Sequence, residues 1–136
     1  MEMMPRMKTV FDHLQRDPTP GEIIDYIQAH LVNQGKRSAE GTSCKYRDGS
    51  LSCAVGCLVD DKTAHAWDSM ESSNIINVVN NHKVPAWMTD HRLLLKHLQE
   101  IHDNSENWNE AGFIGHVTEK PMFKAYCESK GYVCVQ

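Results

Sequence analysis

The stretch that most constrains this chain is residues 44–60, Cys-Lys-Tyr-Arg-Asp-Gly-Ser-Leu-Ser-Cys-Ala-Val-Gly-Cys-Leu-Val-Asp. Asp48-Gly49 is a two-residue hairpin signal, because both central positions want positive φ, which Asp tolerates and Gly accepts freely. With that loop, Arg47 faces Ser50, Tyr46 faces Leu51, Lys45 faces Ser52 and Cys44 faces Cys53. Alternation then groups Cys44, Tyr46, Leu51 and Cys53 on a core-like face, and Lys45, Arg47, Ser50 and Ser52 on a wet one. A slip of one residue would turn every side chain of the moved strand over, so this register is the expected one. Cys44 and Cys53 fall at a non-hydrogen-bonded pair, where Cα atoms approach to about 4.5 Å. If a helix begins near Cys53 with Ser52 as its N-cap, Cys57 follows one turn later on the same side. Cys44, Cys53 and Cys57 are therefore expected to meet.

A chain of 136 residues can bury a core without staples, and 40% hydrophobic with 24% charged residues is a globular balance. Residues 1–136 are read as a single domain, with 1–18 as an N-terminal extension and 118–136 as a C-terminal helix and tail. A net charge of −4 argues against a nonspecific nucleic-acid binder. No apolar run is long enough to span a membrane, and the first residues lack the apolar centre of a secretory signal. Five cysteines, an odd number, then indicate a cytoplasmic chain with mostly free thiols.

Val10, Phe11 and Leu14 predict a short helix over 6–16, broken by Asp17-Pro18-Thr19-Pro20. A second helix over 20–34 has a Thr19/Glu22 capping box, Pro20 at its first position, an Ile23/Ile24/Ile27/Leu31 stripe and Gly35 as terminator. Residues 35–43 read as an exposed loop. Residues 53–59 read as a short helix or tight turn, 62–71 as a further turn or two of helix, and Ile75 to Val79 as a short helix capped by Ser73. Thr89 or Asp90 is expected to cap a helix over 90–103, with Leu94, Leu98 and Ile101 inward and His102 at the edge of that face. The segment holding Trp108, Phe113, Ile114 and Val117 has no clear period. Pro121 starts a final helix with Phe123, Tyr126 and Cys127 inward, ended by Gly131, and residues 132–135 suggest a terminal strand. The expected fold is α+β, a mainly helical single domain with one small antiparallel β-hairpin.

Tyr46-Arg47-Asp48-Gly49 and Ser52-Cys53-Ala54-Val55-Gly56-Cys57-Leu58 resemble a group of small bacteriophage and bacterial proteins, usually without an assigned function. These carry a Cys-Cys-Leu-Gly-Val-Leu-Cys-type segment after a short hairpin. A closer subset reads Cys-x-Tyr-Arg…Cys-Ala-Val-Gly-Cys-Leu-Ile-Pro-Asp. Cys44, Tyr46, Arg47, Cys53, Ala54, Val55, Gly56, Cys57, Leu58 and Asp60 match it, while Val59 replaces the Ile and the Pro is missing. The group's leucine-rich helix ending in His-Asp or Asn-Asp is similar to residues 94–103, and the wider group often has Asn where this chain has His102. The similarity runs over residues 20–104. It implies a phage-type accessory protein of the host cytoplasm and supplies no reaction.

The cysteines admit several readings. Cys53 and Cys57 can be small buried hydrophobes, with Gly56 letting the turn pack against a neighbouring helix; this is the favoured reading, with no cofactor. A zinc site would join Cys44, Cys53, Cys57 and His102 in a Cys₃His tetrahedron. A cross-strand disulfide would join Cys44 to Cys53. A cysteine-dependent hydrolase or transferase would use Cys53 at a helix N-terminus, where the dipole favours thiolate, with His102 as base. Asp60 or an amide is the expected orienter there, because Asp103 adjoins His102 and neighbouring helical side chains point apart. His91 and His97, six residues apart, carry no metal-ligand spacing of one face, His82 and His116 read as solvated loop residues, and Trp67, Trp87 and Trp108 read as packing. The expectation is a non-enzymatic accessory protein that binds a host or phage macromolecule, with a protein as partner and Tyr46, Arg47 and Asp103 as contact residues.

Overall fold

Thr19, Pro20 and Glu22 start helix α1 (Pro20–Gln34) as their chemistry requires. Thr19 Oγ1 accepts the Glu22 amide at 3.2 Å, and Glu22 Oε1 accepts the Thr19 amide at 2.9 Å. Gly35 ends the helix at φ 69°, a left-handed conformation that glycine adopts without strain, and its amide donates to Leu31 O. The Ile23, Ile24, Ile27 and Leu31 stripe is buried as the spacing predicts. The computed structural model describes residues 8–40, 43–44, 46–48, 51–68, 75–81 and 84–132.

After α1 come the antiparallel pair β1 (Ala39–Glu40) and β2 (Ser43–Cys44), then the pair β3 (Arg47–Asp48) and β4 (Leu51–Ser52). A 3₁₀ turn spans Gly56–Leu58. The helices α2 (Asp61–Asp68), α3 (Ile75–Asn81), α4 (Ala86–Asp90) and α5 (Arg92–Asp103) follow. Beyond a 3₁₀ turn at Ser105–Asn107, a third antiparallel pair, β5 (Trp108–Asn109) and β6 (Gly112–Phe113), precedes another 3₁₀ turn at Val117–Glu119 and helix α6 (Pro121–Lys130). The fold is the expected mainly helical α+β domain. Leu94, Leu95, Leu98 and Ile101 of α5 are buried where it packs on α1 and α3. Leu58 and Val59 from the 53–59 segment and Phe123 and Cys127 of α6 join the same core.

Several expectations are corrected. Residues 8–16 form turns, not a helix: Thr9 pairs with Val59, Val10 N–H donates to Leu58 O, and the Asp12 carboxylate bonds the amide and hydroxyl of Thr9. Phe11 is buried against Tyr26 and Trp87, so this stretch is part of the domain and not an extension of it. Part of the expected loop over 35–43 pairs as β1 and β2. The helix expected over 90–103 is found as α5, but its N-cap is His91, without a side-chain cap, and Thr89 and Asp90 belong to the preceding α4. The 104–117 segment contains the hairpin β5–β6, whose turn is marked by Asn109 Oδ1 accepting the Ala111 amide at 2.8 Å. Ser73, His82 and all but the first residue of the terminal strand expected over 132–135 lie outside the described residues.

The hairpin register also differs. Arg47 pairs with Ser52 and Asp48 with Leu51, and the Cys53 amide reaches Tyr46 O at 3.4 Å, so Tyr46 and not Cys44 stands opposite Cys53. Cys44 pairs with Ala39. Asp48, expected in the turn, is therefore a paired strand residue, and residues 49–50 lie outside the described residues. The cause is in α1. Gln34 Oε1 accepts the Ser52 amide at 2.7 Å, while Gln34 Nε2 and His30 Nε2 donate to Ser52 O at 2.8 and 2.9 Å. A glutamine amide thus pairs with Ser52 as a neighbouring strand would, burying Ser52 and leaving Leu51 half-buried.

Candidate functional site

Of the side chains singled out by sequence, His102, Asp103 and Cys53 lie together near the C-terminal turn of α5. Gln99 and Asp103, one turn apart, lie on the same edge of the helix, and Gln99 Nε2 donates to Asp103 Oδ1 at 2.8 Å. Gln99 Oε1 accepts the Val55 amide at 3.1 Å, tying the helix to the turn after the hairpin. His102 is fully buried; its Nδ1 lies 2.8 Å from Asp103 Oδ1, and its Nε2 accepts the Ser38 amide at 3.1 Å. An amide nitrogen only donates, so Nε2 carries the lone pair and Nδ1 carries the proton, which it gives to Asp103. The imidazole is neutral in this arrangement.

This corrects the expected geometry. Adjacent residues on a helix do bond here, because Gln99 holds the Asp103 carboxylate on the edge where the His102 ring emerges. Asp60 does not orient His102. Its carbonyl caps the start of α2 by accepting the Ala64 amide, and its Oδ1 is buried without a hydrogen-bond partner.

Cys53 is fully buried as a free thiol, and its Sγ accepts the Gly56 amide at 3.2 Å. Burial, with a smaller contribution from the Asp103 charge, pushes the thiol up to about 12. A nucleophilic cysteine needs the opposite environment. No regular helix begins at Cys53 to lower that value; the 3₁₀ turn starts at Gly56. Neither nitrogen of His102 faces the thiol, since Ser38 and Asp103 occupy both. The structure therefore brings Cys53 and His102 to one region without making a nucleophile–base pair of them.

Cys57 Sγ donates to Ala54 O at 3.0 Å. Of the expected zinc set, His102 and Cys53 are committed to protein partners, the Cys44 side chain lies outside the described residues, and the register separates Cys44 from Cys53. Among the described residues no group of His, Cys, Asp and Glu is placed to hold a metal ion. The same register removes the cross-strand disulfide.

Tyr46, an expected contact residue, is buried with its ring edge-on to Trp67 at 5.2 Å, and its amide donates to Asp68 Oδ1. Burial raises its phenol, and the charges of Cys53, Asp103 and Asp68 add to that. Asp103 keeps 40% of its side chain exposed, and the Arg47 side chain lies outside the described residues. Gly56 packs against the hairpin and not a helix: a Cβ there would stand 2.2 Å from Tyr46 O. Sequence reading passed over Gln99, Arg37, Ser38 and Asn107. Only Gln99, at helical spacing from Asp103, carried a signal. In comparison with known proteins, no family model, curated protein or solved structure matches this chain.

Proposed function

We propose that this is a phage-type accessory protein of the host cytoplasm that acts by binding a protein partner, and that it does not use cysteine chemistry. The observation that carries this reading is the state of the only nucleophile–base set the sequence suggests. The Cys53 thiol is buried and pushed up to about 12, and both His102 nitrogens are spent on Ser38 and Asp103. Those groups hold the fold. The phage assignment rests on the sequence resemblance over residues 20–104, carried by the motifs in 44–60 and 94–103. Among the described residues no helix is long and apolar enough to cross a membrane, which fits a partner met outside the bilayer.

The test is affinity capture from extract of the bacterial host, with excess free protein as competitor, run in parallel on the native chain and Cys53→Ala. Both are expected to retain the same competed protein, and native Cys53 is expected to resist alkylation until denaturant is added. Rapid alkylation of native Cys53, with ester or peptide turnover lost in a folded Cys53→Ala variant, would overturn the reading in favour of the hydrolase.

A further inference from the structure

We propose that His102 is a protonation-sensitive latch on the segment leading into β1. Ser38 and His102 are both fully buried, and the Ser38 amide donates to His102 Nε2. A second proton on the ring would have to sit on Nε2, pointing at an amide that is itself a donor, with both residues shut off from bulk solvent. The closed segment and the protonated ring exclude each other.

The surrounding charges set the two sides of this balance. On α5, Asp103 accepts from His102 Nδ1 and would stabilise the imidazolium. From the segment itself, Arg37 Nη1 donates to Asp103 O at 2.7 Å, bringing a positive charge that opposes a second one. From the hairpin and the turn after it, Tyr46 and Cys53 are both coupled to the Asp103 charge, and Asp68 of α2 acts on Tyr46. Asp103 therefore favours arrival of the proton while Ser38 and Arg37 resist it. When the proton arrives, what yields is the Ser38 contact, since the Gln99 bridge from Asp103 to Val55 does not involve Nε2. Ser38 immediately precedes β1, so acidification unlocks the Ser38 amide at that end of the β1–β2 pair, while Arg37 still holds Asp103 O and the core face of α5 stays packed. This inference is independent of the partner-binding reading.

The experiment uses the full-length ¹⁵N-labelled protein. Imidazole nitrogen spectra report the His102 tautomer, and amide exchange at Ser38, corrected for intrinsic rate and referenced to Leu98, reports the latch. The pH is lowered stepwise from neutral, and loss of the Nδ1–H tautomer to imidazolium is expected to coincide with opening of the Ser38 contact. Ser38 protection is expected to fall about tenfold or more in step with it, the loss of a buried hydrogen bond. His102→Gln, which offers an acceptor but takes no proton, is expected to keep Ser38 protected throughout. An Nε2–H tautomer at neutral pH, a ring that stays neutral to the acid limit, or Ser38 protection that does not follow the ring overturns the latch. So does a His102→Gln variant that loses protection as the native chain does. If that variant does not fold, the native titration decides alone.

Discussion

Glu22 shows how much a single exposed residue can carry when its partners are local. Its carboxylate takes two hydrogen bonds from Arg16, at 2.6 and 3.0 Å, besides closing the capping box with Thr19. The Arg16 hydrogen bonds first, then the Thr19 amide, hold the Glu22 carboxyl at about 2, down from 4.5. A depressed carboxyl contributes stability that is fully present above its unfolded value and lost as pH falls through its folded one. The advantage in Tm of the native chain over Glu22→Gln is therefore expected to be constant at neutral pH, shrink below about 4.5 and vanish near about 2. A difference that persists in acid would show that the carboxylate charge is not the source. Gly56 is the contrasting residue. Nothing local requires glycine there, and the need arises only because the Tyr46 carbonyl crosses directly above it.

At the scale of elements, the C-terminus of α5 is unusual in how its last carbonyls are met. Glu100 O takes the Asn104 amide, Ile101 O the Asn107 side chain, His102 O the Trp108 indole and Asp103 O the Arg37 guanidinium. A helix end leaves such groups without partners, and here side chains from two other segments supply the last three. Trp108→Phe keeps much of the ring contact with Phe113 but removes the indole donor from a buried carbonyl, at an expected cost of about 1–3 kcal/mol. Thr19→Ala, at the start of α1, removes a solvent-accessible cap and is expected to cost about 1 kcal/mol. Urea unfolding of the two variants measures both. A Trp108→Phe effect below that of Thr19→Ala would mean the α5 carbonyls are adequately solvated and the side-chain caps are incidental.

For the whole molecule, the paired strands are each two residues long and cannot stand without the helices they lean on. Leu98→Ala, in the middle of the buried α5 face, is expected to cost about 2–5 kcal/mol. Because hairpin and helices share one core, amide signals from β3–β4 should be lost together with those of α1 and α5 in that variant; a separate earlier transition for the hairpin would disprove the shared core. The sequence by itself determined α1 and α6, since Thr19, Pro20 and Gly35, and Pro121 and Gly131, act on their own backbone. It also determined the buried stripe of α5, which depends only on helical spacing. Tertiary structure decided the hairpin register, because the turn chemistry tolerates neighbouring registers and the side chains of Gln34 and His30, on another element, select one by bonding Ser52. It decided as well that His102 is a neutral, buried group and not a base for Cys53. The Ser38 amide that fixes its tautomer comes from 64 residues earlier in the chain, and no local pattern specifies where a backbone amide will be brought.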